Sequence, residues 1–306
     1  LIVVQTLSGV VVPVITPLDS EDRVDEPAFR KLLRRLIESG VHALFVGGSA
    51  GEGPLLTLTE WTRMMEIAHS EVGDALPLLG GVMETSSRRI AEKLHLIRQI
   101  GYAHYVVTPA FYFPFKTEAE HLRLFEDCKA ADGGMNLIPY NLPSIVKTEI
   151  PLNVLLELAR RGWVTCCKES SGNPAFFRPL IAAGREVGLR VLVGDELTMV
   201  EGLRAGAVGV VPSSANVEAQ PFIAACRAAI DGDEAALNSA NERIQVLRDA
   251  LPLAGAYWVT GVKYALACLG IGTGKTIAPY APLTAEQQHK IEAFVKTLTL
   301  YPSPSG

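Results

Sequence analysis

Lys168 is the residue from which chemistry can first be asked. It ends an apolar, β-rich run, "WVTCCK" (163–168), and an ammonium head beside such residues either escapes to water at the strand end or is held in a poorly solvated pocket. In the second case burial disfavours the charged form and leaves a neutral amine, the species that attacks a ketone. Tyr140 ends the preceding run, "MNLIPYN" (135–141). If the two runs are consecutive parallel strands, its phenol adjoins Lys168 and can pass protons to a carbinolamine; the alternative is a core tyrosine with a satisfied hydroxyl. The turn "GGSAGEG" (47–53) sets four glycines around Ser49, Ala50 and Glu52. It reads either as a plain turn or as a nest whose backbone N–H groups hold a carboxylate. Gly194, Asp195 and Glu196 end the run at 190–196, where an acidic pair serves a ligand, a solvated rim or a helix cap.

Metal chemistry has no signature in the spacing. His42, His69, His95, His104, His121 and His289 are scattered without H-E-x-x-H, and the five cysteines show no C-x-x-C. Cysteines of this kind read as small buried hydrophobes in a reducing, cytoplasmic compartment.

The elements that must position these residues alternate. Strand-like runs at 10–17, 42–48, 77–83, 104–110, 135–141, 163–169, 190–196 and 207–214 are separated by helical patterns. In 25–40, Asp25 caps, Pro27 suits the first turn and Gly40 closes; 85–101 and 117–134 also end in glycine. About eight strand–helix units are the number for a closed (β/α)8 barrel, with an open doubly wound sheet as the alternative; no G-x-G-x-x-G follows the first strand to favour it. From Glu218 onward the pattern is helical only. The division expected is a barrel over 1–225 and a packed helical region over 226–306, with "YPSPSG" at 301–306 disordered. In a barrel, chemistry sits at the carboxyl edge of the strands, where the candidate residues fall.

Composition narrows the class. The chain of 306 residues is 48% hydrophobic and 20% charged, with net charge -5. That is a compact protein with apolar surface to spare for a subunit contact, and it has no basic stripe for nucleic acid. The apolar start, 1–15, is broken by Gly9 and Pro13 and lacks a basic flank, so it reads as a lead-in and first strand; no stretch suggests a membrane span.

Taken in order, "GGSAGEG", "LTLTE", "VTPAFYFPF", "YNLPS", "KESSGN", "GDE" and "GAVGVVPSSAN" resemble the dihydrodipicolinate synthase and N-acetylneuraminate lyase family of pyruvate-handling class I aldolases. The resemblance runs from about Gly9 through the eighth strand. It implies a (β/α)8 TIM barrel with a C-terminal helical extension, a homo-oligomer (tetramer or dimer), and no cofactor beyond a covalent lysine imine with pyruvate or another 2-oxo acid. By position it implies Lys168 as the Schiff-base lysine, Tyr140 as the proton-relaying phenol, and Ser49 with Ala50 and Gly51 as holders of the substrate carboxylate.

The sequence departs from the pattern in places. Ala50 stands where the family has a second hydroxyl. Ile145 stands where the synthases carry an arginine for the second substrate's carboxylate. Phe111 stands at the tyrosine that synthases lend across a subunit contact, with Tyr112 one residue on. These differences favour the lyase branch, in which Gly194, Asp195, Glu196 and Ser213 would contact substrate hydroxyls. The expected reaction is aldol cleavage or formation of a hydroxylated 2-oxo (sugar) acid, such as N-acetylneuraminate or a 2-keto-3-deoxy acid. The alternatives are 4-hydroxy-tetrahydrodipicolinate synthase and a non-catalytic 2-oxo-acid sensor on the same barrel.

Overall fold

The computed structural model describes residues 7–251 and 257–298. Eight parallel strands close into a barrel in chain order: β1 (Gly9–Pro13), β2 (Ala43–Val46), β3 (Leu78–Gly81), β4 (His104–Val107), β5 (Asn136–Asn141), β6 (Cys166–Glu169), β7 (Arg190–Val193) and β8 (Gly209–Val210). The helices are α1 (Glu26–Glu38), α2 (Leu58–Val72), α3 (Ser87–Ile100), α4 (Glu118–Ala131), α5 (Pro143–Val146), α6 (Leu152–Arg160), α7 (Pro174–Glu186), α8 (Met199–Ala205), α9 (Gln220–Asp231), α10 (Glu234–Ala250), α11 (Trp258–Cys268) and α12 (Ala285–Leu298).

Local chemistry sets the helix starts. Asp25 Oδ1 accepts from the Ala28 N–H at 3.1 Å to cap α1, with Pro27 in its first turn. α4 opens with a capping box: Glu120 N–H donates to Thr117 Oγ1 and Glu120 Oε2 accepts from Thr117 N–H. The buried face of α1, with Phe29, Leu32, Leu33 and Leu36, recurs at three- and four-residue steps.

Strand residues alternate between two apolar layers, as the pleat requires. Val11, Phe45, Val106, Ile138 and Leu192 fill the lumen, whereas Val10, Val12, Leu44, Tyr105, Leu137 and Val191 face the helices. In β6 this parity sends Cys166 inward and Cys167 outward, and it returns Lys168 to the lumen.

Closure between β8 and β1 relies on few residues. Gly9 pairs with Gly209 and Val10 with Val210. The approach is so close that a Cβ on Gly209 would lie 2.1 Å from the Gly9 carbonyl oxygen. Beyond the ladder, buried Asn216 completes the seam. Its Nδ2 donates to the Pro13 and Ser213 carbonyls at 2.9 and 2.8 Å, and its Oδ1 accepts from Ile15 N–H at 3.0 Å.

α9, the helix that follows β8, packs on β1 and β8 as the last barrel helix, so the boundary drawn at 225/226 falls inside it. α10 packs on α9, and α11 on α12. The tail at 301–306 lies outside the described residues, as does 1–6 of the apolar start. Among the described residues no helix is long and apolar enough to cross a membrane.

Candidate active site

Tyr140 and Lys168 are register partners on β5 and β6, so both project into the lumen at the carboxyl end. Lys168 Nζ lies 3.9 Å from the centroid of the Tyr140 ring and 5.0 Å from that of Phe45. The residue is 6% exposed, which excludes a head in open solvent. Burial lowers its pKa from an ordinary 10.5 to about 7. Two other lysines are as deeply buried, but each has a counter-ion: Lys93 pairs with Glu84 at 2.9 Å and Lys263 with Glu52. Among the described residues no carboxylate pairs with Lys168, and the amine is left to desolvation alone.

The Tyr140 phenol is also buried, which pushes its pKa up to about 12, while the Ser170 and Ser49 hydroxyls beside it oppose the rise. Ser170 Oγ is itself buried and closes no hydrogen bond of ordinary geometry. The pair's register is braced from outside the lumen. Asn141 Nδ2 donates to Glu169 Oε2 at 2.6 Å, Ser171 N–H donates to Glu169 Oε1 at 2.6 Å, and Ile150 N–H donates to Asn141 Oδ1 at 2.9 Å.

Lys168 and Tyr140 open onto a cavity of ≈ 420 Å³ whose wall also includes Ser49, Ala50, Gly194, Asp195, Glu196 and Ser213. Gly194 must be small, because a Cβ there would stand 2.7 Å from Lys168 Cε and 2.2 Å from Ser170 Oγ. Glu196 is the centre of a hydrogen-bonded cluster. Its Oε1 accepts from Ser213 Oγ and Ser214 N–H at 2.7 and 2.9 Å, and its Oε2 accepts from Ser214 Oγ at 2.6 Å. Both serine hydroxyls spend their protons on Glu196, so what they offer the cavity is acceptor lone pairs, suited to substrate hydroxyl donors. Asp195 partly serves as a local cap, its Oδ1 accepting from Leu197 N–H and Thr198 Oγ1 at 3.1 and 3.2 Å.

Other candidate residues do not line this chain's own cavity. Gly51 is outside the cavity wall; its carbonyl accepts from Thr16 Oγ1 at 2.7 Å and anchors the turn to β1's exit. Phe111 packs against the lumen layer rather than lining the cavity. Tyr112, with φ 85 and 81% exposure, points away and stacks edge-on with Phe113. Glu52 turns out of the nest altogether. Fully buried, it pairs with Lys263 of α11, and its Oε1 accepts from Ile277 N–H at 3.2 Å.

Sequence reading missed Ser170, Ser144 and Ser214 on the cavity wall, and also Arg248, Trp258 and Val262, which α10 and α11 contribute. Ser170 had a usable signal, since two residues beyond Lys168 it shares the inward parity.

Comparison with known proteins fits this geometry. The dihydrodipicolinate synthetase family matches residues 6–298. The chain belongs to that family. An uncharacterised DapA-like lyase of Halobacterium salinarum is 30% identical over 296 residues, covering 96% of this chain and 95% of its own. A 4-hydroxy-tetrahydrodipicolinate synthase of Methanothermobacter thermautotrophicus is 31% identical over 248 residues, 79% of this chain and 86% of its own. Among solved structures, dihydrodipicolinate synthase of Bacteroides thetaiotaomicron superposes with TM-score 0.89 at 26% identity, covering 95% of this chain and 98% of its own. Members of the dihydrodipicolinate synthetase family are Schiff-base-forming carbon–carbon lyases and synthases that depend on pyruvate, and this chain is an enzyme of that class.

Proposed function

We propose that Lys168 is the nucleophile and that the enzyme cleaves, or in reverse forms, a hydroxylated 2-oxo acid with pyruvate as the enamine partner. The observation that carries this is the buried lysine without a counter-ion among the described residues, its nitrogen over the Tyr140 ring. At pH 7 about half of such amines are neutral, against ~0.03% of ordinary lysines. The neutral nitrogen adds to the keto carbon, and Tyr140 returns a proton to the departing hydroxyl as the carbinolamine loses water. The protonated imine then accepts the electron pair of the C3–C4 bond, leaving an enamine and an aldehyde as the C4 hydroxyl gives up its proton. Protonation at C3 and hydrolysis release pyruvate and regenerate the amine. Ser49 Oγ and the Ala50 N–H hold the C1 carboxylate, while Asp195, Glu196 and Ser213 receive the hydroxylated tail. No separate cofactor enters the scheme.

Incubation with pyruvate and borohydride is expected to leave a reduced adduct on Lys168, absent in Lys168→Ala. An unmodified Lys168 at saturating pyruvate overturns the assignment. Screening 2-oxo sugar acids for pyruvate release with a coupled dehydrogenase then identifies the substrate. The names of the curated relatives support a second reading, 4-hydroxy-tetrahydrodipicolinate synthase. Against it, the position at which the synthases carry their arginine for the second substrate's carboxylate is the uncharged Ile145 on the cavity wall, so a cation for that group would have to come from another element. Efficient condensation of pyruvate with aspartate semialdehyde would favour it over the lyase. Binding of pyruvate without turnover across the whole panel would instead mark a sensor.

The free cysteines, all but Cys268 buried, suit a cytoplasmic location. The exposed Tyr112 and Phe113 suit a contact in a homo-oligomer, tetramer or dimer, which light scattering on the purified protein tests.

A further inference from the structure

The cavity wall is rich in acceptors, with Asp195, Glu196 and several serine hydroxyls, yet Arg248 of α10 also lines it. Arg248 is the only permanently charged cation among the described residues of that wall. Lys168 does not duplicate it, because that amine is consumed in the imine and its charge faces the C1 end.

The state of Arg248 is informative. Its Nε and one terminal nitrogen both reach the same oxygen of Asp249, at 2.9 and 2.8 Å. Asp249 is its neighbour in sequence, with a side chain that is 68% exposed. An ion pair so open to water contributes little and is readily exchanged. The contact nevertheless shows that this fork takes a carboxylate oxygen while the second terminal nitrogen stays free to complete a bidentate pair. Two apolar residues of α11, Trp258 and Val262, line the same wall. The ≈ 420 Å³ of space is far more than a three-carbon acid fills and lies in the range of about 300–1,000 Å³ usual for small-molecule sites.

We propose that Arg248 sets substrate specificity by binding a second carboxylate, at the end of the substrate remote from the keto carbon. The preferred substrates are then hydroxylated 2-oxo diacids rather than acids with a neutral polyol tail. This inference rests on the proposed Schiff-base reading of the same cavity.

The test compares two 4-hydroxy-2-oxo acids of equal chain length, one ending in a carboxylate and one in a hydroxymethyl group. Pyruvate release is followed for the parent, Arg248→Met, Arg248→Lys and Asp249→Asn, alongside borohydride trapping of pyruvate on the parent. The parent is expected to prefer the diacid. In Arg248→Met the ratio of kcat/KM for diacid over neutral-tailed acid should fall about 10- to 100-fold, mostly through KM, with a smaller fall in Arg248→Lys, which keeps the charge without the fork. Asp249→Asn, at an exposed position, is the control and should leave the ratio within about 2-fold, because the pair it weakens contributes little. An unchanged ratio in Arg248→Met, or a fall as large in Asp249→Asn, overturns the assignment of Arg248. Failure of pyruvate to be trapped on the parent instead overturns the Schiff-base reading, so the two failures are told apart.

Discussion

An unfolded chain carries Lys168 as an ammonium up to about pH 10.5, whereas the folded protein holds that nitrogen half neutral at about pH 7. Between those limits the unfolded state binds more protons than the folded one, so stability rises with pH across the window and is lowest at and below about pH 7. The difference amounts to about 5 kcal/mol. That is an upper bound, because water penetration and relaxation soften the burial of a charge. Lys168→Met keeps an apolar stem of similar length and removes the ionisable head. The variant should therefore be more stable than the parent by up to about 5 kcal/mol near neutral pH, a large share of the ~5–15 kcal/mol by which most domains are stable. The gap should narrow as pH rises and vanish near pH 10.5. Urea unfolding of both proteins at one protein concentration, in steps from about pH 6 to about pH 10, measures it, and titrating groups common to both cancel in the difference. A variant no more stable than its parent at neutral pH, or an advantage independent of pH, refutes the reasoning. Either result would mean that Nζ is hydrated or paired in solution.

Three further outcomes follow from the same geometry. Tyr140→Phe should slow both turnover and borohydride-trappable imine formation by about 10²-fold or more, with circular dichroism unchanged; full activity would remove the phenol from the proton relay. Ala50→Ser adds a hydroxyl to the turn proposed to hold the carboxylate and should tighten pyruvate about 5-fold, the worth of one net hydrogen bond, seen as a lower half-saturation in the trapping assay. An unchanged value would mean that the turn does not face the carboxylate. Glu52→Gln leaves Lys263 buried without its partner and should cost about 3–5 kcal/mol in chemical unfolding. The double variant Glu52→Gln with Lys263→Met should recover most of that, and a double variant as unstable as the single would show that the pair's charges are not what matters.

Much of the barrel was legible because its rules are local. Period-two alternation belongs to any extended backbone, so once Cys166 faces the lumen and Cys167 the helices, Lys168 must face the lumen again. Tyr140 follows from neighbouring parallel strands. The run at 207–214 was legible as apolar, but only Gly209–Val210 pairs in the ladder, because the chain then leaves the sheet to set Ser213 and Ser214 around Glu196. Loop geometry was less legible. Tyr112 adopts φ 85 and points outward, a choice no residue pattern announces. Arg248, Trp258 and Val262 reach the cavity through the docking of α10 and α11, and the helical period reports only that those helices have an apolar face.

The sharpest case is the lysines. The sequence sets Lys168 apart by its place at the end of a strand-like run but does not show whether its head is paired, and Lys93, Lys168 and Lys263 are all buried with lowered pKa values. Lys263 meets Glu52, a partner that a glycine-rich turn brings from the far end of the chain, and Lys93 meets Glu84. A carboxylate beside a buried ammonium opposes the loss of its proton, whereas at Lys168 burial lowers the pKa with nothing to oppose it. What separates the amine proposed as nucleophile from the two ion-paired ones is therefore a carboxylate missing among the described residues, and that is visible only in three dimensions.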